Sequence, residues 1–149
     1  MGCEMADETV DELIARGSVR RAEPDADAAR RELSVARLHL ESAAALMSTD
    51  PTAAFAIVYE ATRKAISAHM RLRGLRVSAG AGAHGRIGRY AVAALDDPAI
   101  AVHVKRFDDL RKLRNQSAYE GLLIEPVEVA EALVHAEAIV SAVARELGE

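Results

Sequence analysis

The stretch DPTAAFAIVYEATRKAISAHMRLRG, Asp50 to Gly74, decides the architecture. Its Asp-Pro start is a helix-opening signal: Asp caps free backbone N–H groups, and proline at the first helical position lacks only an N–H that would have no partner there. Ala54, Ile57, Ala61, Ala65, Ala68 and Leu72 then recur at helical spacing. Phe55, Tyr59, Ile66 and Met70 widen that stripe to more than one face, which places this helix at the centre of a bundle. Gly74 is positioned to end it with a left-handed residue.

Partners for the central helix lie on both sides of it. Asp25 to Met47 carries Leu33, Ala36, Leu40, Ala43 and Met47 as a continuous stripe. Pro126 to Leu147 carries Val129, Leu133, Ala136, Val140, Val143 and Leu147. A shorter helix is expected over Ala83–Leu95. Asp97-Pro98 repeats the opening signal for another to about Ala118, with Ile100, Val104, Phe107 and Leu110 on its buried face and Gly121 beyond its end. Residues 1–24 read as an N-terminal segment, with a short helix over Glu8–Arg16 and a polar linker over Ser18–Pro24. Residues 25–149 form the main domain. Leu75–Gly82, built mostly of small residues, reads as a loop, the least structured and most mobile segment in the interior of the chain. No run reads as a strand. The expected fold is all-α, an up-and-down helical bundle of about five main helices.

Composition agrees. The chain has 149 residues, half of them apolar but only 3% aromatic, so alanine and aliphatic side chains must build the core. Alanine has the highest helix propensity and allows close helix approach. The single cysteine, Cys3, has no intramolecular partner, which points to a reducing cytoplasm and away from a Cys-based metal site. The start Met1–Ala6 reads as neither a signal peptide nor a myristoylation site. The longest strongly apolar stretch, Ala53–Val58, is far below the ~20 residues that span a bilayer, so a soluble protein with no membrane partner is expected.

The net charge of −4 is unevenly spread: Arg63 to Arg114 holds twelve basic and four acidic residues, a local net of +8. A basic middle in an acidic chain attracts anions such as a phosphate backbone, although basic and acidic helices can also neutralise each other within a bundle. Arg114 stands out within this region. It continues the apolar stripe of Phe107 and Leu110, yet a guanidinium keeps its charge and needs a partner. Either it reaches a buried carboxylate or it lies in a cleft that holds an anion. Asn115 and Tyr119 follow in the last turns of the same helix, where Tyr119 would swing over such a cleft.

The order and lengths of the helices, the stretch Tyr59-Glu60-Ala61, and the segment Leu113-Arg114-Asn115-Gln116-Ser117-Ala118-Tyr119-Glu120-Gly121 resemble a HEPN domain over roughly Ala29 to Ala144. The motif of that family is an Arg, often a polar residue, and a His after four to six intervening positions. The resemblance implies a homodimer in which two copies of the motif line one cleft. It also implies metal-independent endoribonuclease activity and pairing, in many members, with a nucleotidyltransferase antitoxin. Here Arg114 and Asn115 match, but Tyr119 stands where the His belongs. RNA cleavage through the 2′-OH needs proton transfer near neutral pH, which imidazole at a pKa of about 6.5 supplies and phenol at about 10 does not. Arg114 retains the capacity to bind phosphate, and Asn115 to orient it.

Other residues extend the candidate site. His84 lies beside Gly85-Arg86-Ile87-Gly88-Arg89 at a helix start, and His84, Arg86, Arg89 and Arg111 are the candidate binding residues around Arg114. His84 would reach the pole if its helix packs beside the end of the Arg114 helix; capping or solvent exposure is the plainer role. His69 and His103 read as packing or surface residues, His39 and His135 as solvent-facing, and no His has the partners of a metal site. Gly85 to Gly88 is too short for a dinucleotide fingerprint or P-loop, so no cofactor is called for. With two Phe and three Tyr, no aromatic platform for stacking bases is present. Three functions fit these features: an RNA- or nucleotide-binding module with weak or no catalysis, an active endoribonuclease toxin using Tyr119 or a distant His, and a helical protein–protein adaptor in which Arg114 is structural.

Overall fold

The opening signal at residue 50 works as its chemistry demands. Asp50 accepts a hydrogen bond from the Ala53 N–H at 3.1 Å, and Pro51 begins helix α3, Pro51–Arg73. In the computed structural model, which describes residues 8–149, the chain comprises α1 (Val10–Ala15), β1 (Val19–Arg21), α2 (Ala26–Leu46), α3, β2 (Leu75–Val77), α4 (Ala83–Ala94), α5 (Pro98–Val104), α6 (Phe107–Glu120) and α7 (Pro126–Glu146). Cys3 and the reading of Met1–Ala6 fall outside the described residues.

Helix α3 is the hub of an all-α bundle. It packs along α2, α7 and α6 and touches α4 and β2. Its buried residues run round more than one face, from Ala54, Phe55 and Val58 to Ile66, Ala68 and Met70. Small residues line the contacts on either side: Ala29, Ala36 and Ala43 of α2 and Ala132, Ala136 and Ala144 of α7 are all buried. This is how a chain with few aromatic residues fills an interior. Asp25 caps α2 through the Ala28 N–H at 2.9 Å. No helix among the described residues is long and apolar enough to cross a membrane.

Two polar side chains are buried within α3. Thr62 donates to the Val58 carbonyl at 2.8 Å. His69 sits with Nδ1 2.7 Å from the Tyr90 hydroxyl of α4 and Nε2 2.6 Å from Glu146 Oε2 of α7. Burial pushes the His69 pKa down, against the pull of the Glu146 carboxylate. A neutral ring accepts from Tyr90 at Nδ1 and sets Nε2–H close to the Glu146 carboxylate, at a distance short enough for contact but without hydrogen-bond geometry.

Three segments differ from the expectation. The polar linker is instead stitched to the bundle: β1 pairs antiparallel with β2, Val19 opposite Val77 and Arg21 opposite Leu75, and Val19 and Leu13 are buried in the core. Gly74 makes this crossing possible. Its φ is +68°, and a Cβ there would stand 2.7 Å from the Ala22 carbonyl oxygen and 2.8 Å from Pro24 Cγ. The Leu75–Gly82 segment is accordingly a loop only from Ser78 onward. Its first three residues are β2, and Arg86 holds the remainder by donating to the carbonyls of Ser78, Ala79 and Ala81. Finally, the helix expected over Asp97–Ala118 is two helices, divided at Lys105-Arg106. The turn redirects the chain so that α5 packs on α7 while α6 packs on α3, with Val104 and Phe107 both buried.

Candidate functional site

Arg114 projects from α6 toward α3, and its guanidinium carbon lies 5.9 Å from the centroid of the Tyr59 ring. It is half-buried, and among the described residues it has no carboxylate within 4 Å. Of the two expected arrangements, an ion pair with a buried carboxylate is absent among the described residues. Arg114 rests on an aromatic face and borders a hollow of about 330 Å³ with Asp50, Thr52, Ala56 and Ser117, the Asp50 carboxylate being engaged in capping α3.

Tyr59 is the keystone. Its ring stacks on Phe107 at 5.4 Å with 13° between planes, and its hydroxyl lies 2.8 Å from His84 Nδ1. Helix α3 thereby holds a cation from α6 on one contact and an imidazole from α4 on another. Burial pushes the Tyr59 hydroxyl above its ordinary value, against the opposing influence of Arg63, Arg111 and Arg114, so the phenol stays protonated. Burial also lowers His84, and Arg63, Arg114 and Arg111 depress it further, which leaves the imidazole neutral near pH 7. With Tyr59 donating to Nδ1, His84 keeps a donor at Nε2. With the roles reversed, Nε2 is a free base.

The other two arginines of this cluster are held in place by neighbours. Arg63 Nε donates to Glu60 at 2.9 Å, and that hydrogen bond keeps the Glu60 carboxyl below its usual range. Arg111 Nη2 stands 2.8 Å from Asp108 Oδ1, with Lys112 3.2 Å from the other oxygen. Burial would raise the Asp108 carboxyl, but these cationic hydrogen bonds outweigh it and hold it low. The pole is therefore three arginines and a neutral histidine gathered around one tyrosine, and only Arg114 lacks an acidic partner.

The sequence-derived candidates divide on this geometry. Arg114, Arg111 and His84 are brought together, whereas Asn115 is half-buried without a hydrogen-bond partner among the described residues. Tyr119 stands 84% exposed in the last turn of α6 and does not contact Arg114 by hydrogen bond or ring. The Arg86 guanidinium is occupied by the loop carbonyls, and Arg89 is exposed on the rim of a neighbouring cleft. Sequence reasoning missed Tyr59, Arg63 and Phe107 as parts of the site. The available signal was Tyr59 itself, since a phenol inside an apolar helix must find a polar partner.

His135 departs from its expected solvent-facing role, while His103 packs as one of its two expected roles: His103 Nδ1 of α5 meets His135 Nδ1 of α7 at 3.0 Å. Burial lowers His135, with His103 and Arg106 acting in the same direction. Among the described residues no group of three or more His, Cys, Asp or Glu side chains is arranged to hold a metal ion. Compared with known proteins, the chain matches no family model, no curated protein and no solved structure.

Proposed function

We propose that this chain is a HEPN-like RNA- or nucleotide-binding module that takes a phosphate at Arg114, with little or no catalysis of its own, and works as a homodimer. The observation that carries this reading is the half-buried Arg114 guanidinium with no carboxylate partner, set on the Tyr59 ring beside Arg63, Arg111 and His84. A cation partly removed from water and left without an anion is costly, and a ligand phosphate completes it. The test is fluorescence anisotropy with a labelled single-stranded RNA across a salt series. Arg114→Ala should weaken binding roughly tenfold or more and lower the salt slope by about 0.7. A parent protein that does not bind at low salt refutes the reading and favours the adaptor, and a variant that binds like the parent refutes Arg114 as the phosphate contact.

One observation favours a second reading. The His84 imidazole lies in the same charge cluster as Arg114, bonded to the Tyr59 hydroxyl. In that reading His84 supplies the proton transfer that Tyr119 cannot, and the chain is an endoribonuclease toxin with a nucleotidyltransferase antitoxin as partner. It requires RNA cleavage by the parent that is lost in His84→Ala while RNA binding persists. Parent protein that binds RNA without cutting it leaves the binding module.

A further inference from the structure

Beside the Arg114 cluster, α4, α5 and α6 enclose a cleft of about 450 Å³, within the range of small-molecule sites. Its floor has almost no side chains. Gly85 and Gly88, one turn apart on α4, expose backbone, and Val92 continues the floor as apolar surface with the buried Val104 behind it. A Cβ on Gly85 would meet nothing within 4 Å, so open space lies directly above that residue. Gly88 is different: a Cβ there would stand 3.2 Å from Phe107 Cδ1, so this glycine lets α4 pack closely on α6.

The rim is cationic. Arg89, Lys105, Arg111 and Lys112 border the opening, against the two acids Glu8 and Asp108. Both acids are already engaged: Glu8 by Arg16 at 2.9 Å, and Asp108 by Arg111 and Lys112. Arg89 and Lys105 have no ion-pair partner among the described residues and stand exposed. The lining therefore carries a net charge of +2 at its mouth over a flat apolar base.

From this arrangement we infer that the cleft binds a nucleoside monophosphate, its phosphate between Arg89 and Lys105 and its base and sugar on the Gly85–Gly88–Val92 floor. A bare phosphate would match the charge but leave the apolar floor wet and most of the volume empty. A purely apolar ligand would leave Arg89 and Lys105, the two cations without an acidic partner, without a use. A phosphate monoester with a flat heteroaromatic body satisfies both. This inference goes beyond the Arg114 reading and stands on the cleft alone; Arg111 is the residue common to the two.

The experiment is a two-dimensional amide NMR titration of the full chain, backed by calorimetry. The four ribonucleoside 5′-monophosphates and inorganic phosphate are added separately. At least one nucleotide should bind with a Kd of about 1 mM or tighter and shift the Gly85 and Gly88 amides, with inorganic phosphate roughly tenfold weaker or more. Gly85→Leu fills the floor from a helical position with free space above it, so it should keep the fold and abolish binding. Should that variant fail to fold, Arg89→Ala and Lys105→Ala on the exposed rim decide, each weakening binding roughly tenfold. Arg114→Ala should leave mononucleotide binding within about twofold of the parent, even where it removes RNA binding. The inference is overturned if none of the nucleotides binds, if inorganic phosphate binds as tightly, or if folded Gly85→Leu or both rim variants bind like the parent.

Discussion

Replacing Arg114 with alanine separates a ligand contact from a structural one, and the geometry fixes what each outcome should cost. The guanidinium has one identified protein contact, the Tyr59 face at 5.9 Å, and no carboxylate that its removal would strand. A cation–π contact contributes about 0.5–1 kcal/mol when exposed and about 2 when desolvated; a half-buried Arg114 falls near 1. For a chain of 149 residues, unfolding entropy makes this a fall in Tm of about 3 °C. Loss of one partner from a buried ion pair would instead cost roughly 3–5 kcal/mol, a fall of about 10–15 °C. Differential scanning fluorimetry resolves the two easily. A fall of 10 °C or more would refute the account of Arg114 as a cation awaiting a ligand, whatever the effect on RNA.

Four further outcomes are expected. His69, His84 and His135 are all depressed in the folded state, so the unfolded chain binds more protons than the native one as pH falls through about 6.5. Tm should hold above pH 7 and drop between pH 7 and 5, with a shallower slope in His69→Gln; a flat profile would contradict this. Gly74→Ala should destabilise by at least about 2 kcal/mol in urea titration, because alanine resists φ +68° and its Cβ would strike the Ala22 carbonyl. Tyr119→His should leave RNA cleavage at the parent level, since this position is 84% exposed and out of contact with Arg114; a marked gain in cleavage would show that α6 closes over the pole in solution. Light scattering at tens of micromolar should give a dimer, with exposed Val127, Val134 and Leu123 as surface to bury; monomer alone would count against pairing.

The bundle was legible where chemistry is local and repeated. Asp50 and Asp97 each cap the helix their position announced, Asp25, expected as the first residue of α2, caps it instead, and Pro51, Pro98 and Pro126 each open one. Gly74 and Gly121 end α3 and α6 in the left-handed region. The departures arise where a feature depends on distant pairing or leaves no breaker residue. A three-residue strand such as Val19–Arg21 offers one buried side chain, too short a run for alternation to register, and its partner lies more than fifty residues away. The break at Lys105-Arg106 involves neither proline nor glycine. It follows from the separate packing of α5 on α7 and α6 on α3, a tertiary demand that helical periodicity does not encode.

The pole was half legible for a related reason. Arg114 declared itself because a permanent charge on an apolar stripe is a local contradiction, and His84 because a histidine beside arginines at a helix start suggests an anion. Which of them meet is decided by Tyr59, whose ring and hydroxyl face α6 and α4 and join the two. In sequence Tyr59 is only one more large residue on the central helix. Its role appears when Phe107 stacks on it and the arginines gather, and that requires the turn between α5 and α6 that the sequence hides. Arg86 shows the opposite case, a cation that looks like a ligand contact in sequence and is spent on the carbonyls of its own loop. Charge alone therefore overstates a binding site. Among the described residues of the pole and its neighbouring cleft, the cations that the fold leaves without a carboxylate or carbonyl are Arg114 at the pole and Arg89 and Lys105 at the cleft.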